Sequence, residues 1–218
     1  MFRSGRRQAK VRLIVLLRMD QHEVTGRTTE ALRRLIVDQW ELAALDLGER
    51  TITSHLFSHL VMIFQDTEYD VDHEYNRRFD LTKELTFVRG DELGEHRIFP
   101  DLIVHGRNRD SKNLVAIEIK KGPLCDSNDR RKVLALLTRY EYQYRFGVLL
   151  ALSSVSSPTI SENDHGDYYE AWTPRWEWMT HDEGGEVVTV FDEAVFDDAD
   201  LTSLNREGWL GFRDRLNS

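Results

Sequence analysis

Residues 98–120 read IFPDLIVHGRNRDSKNLVAIEIK. Two apolar runs flank a polar turn containing Gly106, Asn108, Asp110 and Ser111, the pattern of two strands joined as a hairpin. Strand side chains alternate between faces. Over 115–120 this puts Val115, Ile117 and Ile119 on one face and Ala116, Glu118 and Lys120 on the other. On the partner strand Phe99, Asp101 and Ile103 share a face, opposite Leu102 and Val104. The hairpin brings Asp101 within reach of Glu118. Two carboxylates held together are unfavourable unless a cation or a shared proton compensates. A divalent metal with oxygen ligands is the natural compensation, with Lys120 adding positive charge alongside.

Elements on either side of the hairpin can be read from their periodicity. Before it, Leu32, Leu35, Ile36, Trp40, Ala43 and Leu47 recur at helical spacing, which predicts a helix over about 28–46. A second helix is predicted from Glu49 to about Gln65, with Ile52, Leu56, Leu60 and Ile63 on its apolar face. At 100° per residue Glu49 falls on that same face. A carboxylate there needs a partner, and the metal or Lys120 could supply it; acids at helix starts also simply favour the macrodipole. Residues 69–76 alternate like a strand, and 81–95 read as a polar loop or weak hairpin.

After the hairpin, Gly122 and Pro123 stop the strand, and 126–129 offer N-caps for a helix to about Tyr142. Residues 146–152 form a continuous apolar run suited to a strand buried on both faces, ended by 153–158. The order is helix, strand, strand, strand, helix, strand. Beyond it, 186–191 could be a strand and 201–216 a closing helix.

The segment from Pro100-Asp101 through sixteen residues to Glu118-Ile119-Lys120 resembles the PD-(D/E)XK signature of the restriction-endonuclease-like nucleases. The expected αβββαβ order across 49–152, about half the chain, is similar to that superfamily's common core. DHEYNR at 72–77, PDLIVH and EIKK are also similar to uncharacterised bacterial members. The resemblance implies an α/β fold with a mixed sheet flanked by helices, carrying N-terminal helical and C-terminal extensions. It implies one nuclease domain: an extension over 1–47, a catalytic core over 48–155 and an acidic, Trp-containing extension over 156–218. It further implies a metal-dependent nuclease acting on nucleic acid, with DNA the first expectation. Asp101, Glu118 and the backbone carbonyl of Ile119 would bind Mg²⁺ or Mn²⁺, with Glu49 as a further ligand. Lys120 would orient or help deprotonate the attacking water. Phosphodiester hydrolysis builds negative charge on phosphoryl and leaving oxygens, and such a metal neutralises it while activating water.

Other features have plainer readings beside functional ones. Arg130, Arg131 and Lys132 open the helix after the hairpin, as a solvated face or as phosphate contacts. His105, at the turn end of its strand, is expected to face solvent or a phosphate. Glu74 is expected as a structural strand residue. Trp172, Trp176 and Trp178 suit core packing or a protein interface better than base stacking. His55 and His59 have a zinc-compatible spacing but no matching Cys/His pair.

The chain's net charge of −9 argues at first against a polyanion. However, residues 160–200 hold thirteen acids and one base, and the remainder is net positive. Residues 1–18 carry six Lys/Arg and no acid. A polyanion could dock if the acidic segment lies elsewhere, and that segment could engage a protein partner or a second copy. The apolar run 13–17 is too short for a membrane span, which needs ~20 residues, and lacks a signal-peptide cleavage site. Cys125 is the sole cysteine, so no intrachain disulfide forms and a cytoplasmic setting is expected. A catalytically silent module that binds nucleic acid or scaffolds a defence or repair complex is the alternative, as is hydrolysis of another phosphate ester.

Overall fold

The computed structural model describes residues 19–44, 47–73, 77–78, 81–82, 84–89, 92–97, 100–107, 112–138, 142–156 and 170–217. The basic run 1–18, Glu74, Phe99 and the hairpin-turn residues Asn108, Asp110 and Ser111 lie outside them. The first helix, α1 (Gln21–Asp38), starts one turn or more before the periodicity suggests. Asp20 caps it, its carboxylate accepting the Glu23 N–H at 2.8 Å. Val24, Thr28, Ala31, Leu32, Leu35 and Ile36 form its buried stripe. It also stops earlier, with a short α2 (Glu41–Ala44) following a break at Gln39–Trp40. The long α3 (Glu49–Phe64) matches expectation and buries Ile52, Leu56, Leu60 and Phe64.

The principal sheet has six strands: β1 (Asp70–His73), β6 (Leu102–His105), β7 (Asn113–Lys121), β8 (Phe146–Ser156), β9 (Glu170–His181) and β10 (Val187–Ala194). They lie in the order β1-β6-β7-β8-β9-β10. Between β1 and β6 come two small ribbons, β2 (Arg77–Arg78) with β3 (Leu81–Thr82), and β4 (Glu84–Arg89) with β5 (Glu92–Arg97). β7 and β8 are parallel and every other pair in the sheet is antiparallel. The parallel pair needs a crossover, which α4 (Ser127–Thr138) provides. The chain closes with α5 (Asp198–Leu216), capped by Asp197.

The two faces of the sheet are covered unequally. Val115, Ile117 and Ile119 of β7 join Val148 and Leu150 of β8 and the tryptophans of β9 in one large core with α1 and α3. On the other face Ala116 packs with Ile103, Leu136, Tyr142 and Tyr144, and Leu149 with Val133, Leu137 and Met179, under α4. The alternation read from the sequence therefore holds over 115–119 and 102–104, while Asp101, expected on the second strand, precedes it. α5 packs on α1 through Gly208, where a Cβ would sit 2.6 Å from the Ile36 carbonyl oxygen. No helix among the described residues is long and apolar enough to cross a membrane.

His105 departs from its expectation. It is 3% exposed, with Nε2 2.8 Å from an Asp72 carboxylate oxygen, while Arg107 binds the other at 2.7 Å. The reason is register: β1 pairs against β6 with Asp70 opposite His105, so Asp72 arrives beside the ring.

Candidate metal centre

β6 begins at Leu102, opposite Ile117, so the last residues of β7 run on past their antiparallel neighbour. Backbone N–H groups two apart point toward that vacated edge, and a buried one must find a partner. Asp101, a bend residue just before β6, takes the Ile119 N–H at 2.7 Å. Glu49, in the first turn of α3, takes the Lys121 N–H at 3.0 Å. The two acids thus converge on the same strand end from different elements. The Ile119 carbonyl shares the direction of its N–H along a strand, toward Asp101.

Glu118 lies one residue away on the α4 face and is 4% exposed. One carboxylate oxygen, Oε1, is bonded to the Lys132 ammonium; the other, Oε2, is buried without a hydrogen-bond partner. Burial, with Asp101 nearby, pushes Glu118 up to about 8 despite Lys132. Burial likewise raises Asp101, which Glu49 and Asp129 reinforce against the Ile119 N–H and Lys132.

The lysines divide differently from the sequence expectation. Lys120 is partly exposed, its Nζ 3.8 Å from Asp129 Oδ2. Burial tends to lower it, but Asp129, Glu49 and Asp126 hold it above the usual lysine range. Lys132, grouped by sequence with Arg130 and Arg131, is the cation on Glu118. The sequence does not single it out, because its approach depends on how α4 is rotated over the sheet, and a helical run of bases carries no such information. Arg130 pairs instead with Glu177 of β9, and Arg131 is exposed.

The start of α4 is a reciprocal cap. Asp126 Oδ1 accepts the N–H groups of Asn128 and Asp129, and Asp129 Oδ2 accepts that of Asp126 at 3.0 Å. Asp129 is buried, and its Oδ1 stands 3.6 Å from Lys132 Nζ. On the other side of the centre, a cleft of about 250 Å³ is lined by Glu49, Arg50, Thr53, Ser54, His73 and Asp101. Cys125 is close by, but burial, with Asp129 and Glu118, pushes its thiol up to about 12, so it is no thiolate nucleophile near neutral pH.

The fit of a divalent metal can be judged on Glu118. A buried carboxylate oxygen with no partner, beside a second carboxylate and a strand carbonyl, is an all-oxygen donor set suited to a hard cation. Among the described residues no three His, Cys, Asp or Glu side chains gather closely enough to hold an ion together. Mg²⁺ does not require that, since it keeps several waters and binds through one or two carboxylates. Asp101 and Glu118 therefore fit, with Glu49 at the margin.

No protein-family model, curated protein or solved structure matches this chain.

Proposed function

We propose that the chain is a metal-dependent nuclease of the restriction-endonuclease-like fold, hydrolysing phosphodiester bonds in nucleic acid, with DNA the first candidate. The observation that carries this reading is Glu118, buried beside Asp101 with one oxygen unpartnered. With the two ribbons β2–β3 and β4–β5 set aside as an insertion, the order α3, β1, β6, β7, α4, β8 supports the αβββαβ assignment. Asp101, Glu118 and the Ile119 carbonyl would hold Mg²⁺ or Mn²⁺, with Glu49 as a further ligand. Such an ion neutralises charge on the phosphoryl group and lowers the pKa of water.

The protein's own groups do the remaining work. The Asp101 and Glu49 hydrogen bonds to β7 fix their carboxylates against a rigid strand, so little reorganisation is needed when substrate arrives. Lys120 retains its proton here and presents a charged donor at the mouth of the centre, suited to a phosphate oxygen or the attacking water. The neighbouring cleft gives the strand beside the scissile phosphate a polar wall.

The deciding experiment incubates the protein with supercoiled plasmid, linear duplex and single strands, with Mg²⁺ or with EDTA. Cleavage is expected with Mg²⁺ only, and Lys120→Met should lose it while keeping nucleic-acid binding. Undiminished cleavage by that variant would sink the assignment.

One observation favours a second reading, a silent module that binds nucleic acid or scaffolds a complex. Lys132 already compensates Glu118, which leaves less need for a metal. Mn²⁺ titration separates the two: absence of binding dependent on Asp101 and Glu118 would favour the silent module.

A further inference from the structure

We infer that Lys132 is the resident cation of the Glu118 carboxylate, a latch that a divalent metal displaces onto Asp129 when it takes that carboxylate. This rests on the nuclease reading for the metal's place at Asp101 and Glu118.

A buried carboxyl group beside another acid needs either a proton or a positive partner, and once Glu118 is ionised Lys132 is that partner. It comes from a helix whose position is set elsewhere. Val133, Leu136 and Leu137 anchor α4 on the sheet, and the Asp126–Asp129 cap sets its start. The Lys132 main chain is therefore held, and only its long, flexible side chain is left to move. A divalent ion at Glu118 repels an ammonium bonded to the same group, so the two compete for it. The displaced ammonium has a second anion ready: Asp129 Oδ1 is already 3.6 Å away, one helical turn back. Asp129 also lies 3.8 Å from Lys120, so the move gathers both ammonium groups around one buried carboxylate. The latch thus compensates Glu118 in the metal-free chain and releases that carboxylate when metal binds, with Asp129 as the second anion.

The first test uses the wild-type full chain. Reductive methylation followed by peptide mass spectrometry compares lysines in EDTA and in saturating Mg²⁺, with Lys112, paired with Glu68 away from the centre, as the reference. Lys132 should be protected in EDTA and several-fold more reactive with Mg²⁺; unchanged protection would overturn the latch. The second measures Mn²⁺ affinity for wild type, Lys132→Gln and Lys132→Arg. Loss of the competing charge should tighten binding about tenfold in the Gln variant, while Arg should stay near wild type. Equal affinity for the Gln variant would overturn the latch, and if that variant fails to fold, the methylation result decides alone. Mn²⁺ binding through Asp101 and Glu118 with Mg²⁺-dependent cleavage, but no Lys132 response, removes the latch and leaves the nuclease. No Mn²⁺ binding by any form removes both.

Discussion

The carboxylate of Asp101 accepts the backbone N–H of Ile119 at 2.7 Å, across the point where β6 stops covering β7. The bond satisfies a strand-edge donor that would otherwise be orphaned. It needs only an acceptor, which a neutral amide provides as well as a carboxylate. The negative charge at Asp101 is therefore surplus to its structural duty. It is also costly there, because it helps push Glu118 upward.

Asp101→Asn should accordingly keep the fold. Its amide oxygen can still accept from Ile119, and one of two crowded acids is gone. Urea unfolding without metal should give a stability within ~1 kcal/mol of wild type, while Mn²⁺ binding disappears. Asp101→Ala, which lacks the acceptor, should lose both. A severely destabilised Asn variant would show that the charge itself holds the fold.

Glu118 predicts the pH response of the metal-free chain. Its folded pKa, about 8, lies above its ordinary value of 4.5, so the folded state holds the extra proton between those limits. Stability is then full below the lower limit and declines as pH rises toward 8, by at most about 1.4 kcal/mol per unit. Glu118→Gln should flatten this slope, and saturating Mn²⁺ should flatten it in the wild type. Unfolding midpoints at pH 5, 6.5 and 8 measure it; a wild-type curve that rises over that span would refute the assignment.

The elements that place this centre were legible because their patterns are local. The alternation of β7, the apolar face of α3 and the continuous run of β8 each declare themselves within a dozen residues. What was not legible depends on neighbours distant in sequence. His105 is buried because Asp72 meets it from β1, and α1 breaks near Trp40, where α5 brings Gly208 against Ile36 and Trp40. Asp101 and Glu118 could be paired from a hairpin, whereas the contact of Lys132 with Glu118 needed the packing of α4.

Asp72 predicts acid sensitivity at the far edge of the sheet. Burial tends to raise it, but hydrogen bonds from His105 and Arg107 prevail and hold it at about 2. Because the folded value is depressed from 3.8, its stabilisation is present above that pH and lost as pH falls through 2. Asp72→Asn should cost about 1.5–3 kcal/mol at pH 7, less near pH 2. Urea titrations at the two pH values provide the comparison, and an equal cost at both would count against the ion pair.

Gly147 tests the seat of α4. A Cβ there would lie 2.4 Å from Val133 Cγ1 and 2.5 Å from a Leu137 methyl, both inside the packed layer. Gly147→Ala should destabilise by about 1–3 kcal/mol and lift the helix that carries Asp129 and Lys132. Chemical unfolding gives the first effect, and weakened protection of Lys132 from methylation gives the second. Wild-type stability would mean that α4 packs more loosely than the distances require.

Asn205 supplies the control for the charge argument at Asp101. β10 covers β9 only as far as Arg175, and beyond it Trp172 presents its N–H and C=O to the open edge. Asn205, fully buried on α5, takes both: its Oδ1 accepts the N–H at 2.8 Å and its Nδ2 donates to the C=O at 3.1 Å. Here the same edge problem is solved without charge, and Nδ2 also serves the Leu201 carbonyl. Asn205→Asp should keep the accepted bond but set a buried carboxylate against two carbonyls, costing about 3 kcal/mol or more. The exchange at 101 and the reverse exchange at 205 should therefore differ sharply in unfolding free energy. If they cost the same, the carboxylate at 101 is structural and the case for a metal centre loses its main physical support. A nearly neutral Asp101→Asn beside a damaging Asn205→Asp would leave the charge at 101 to be explained by what binds there.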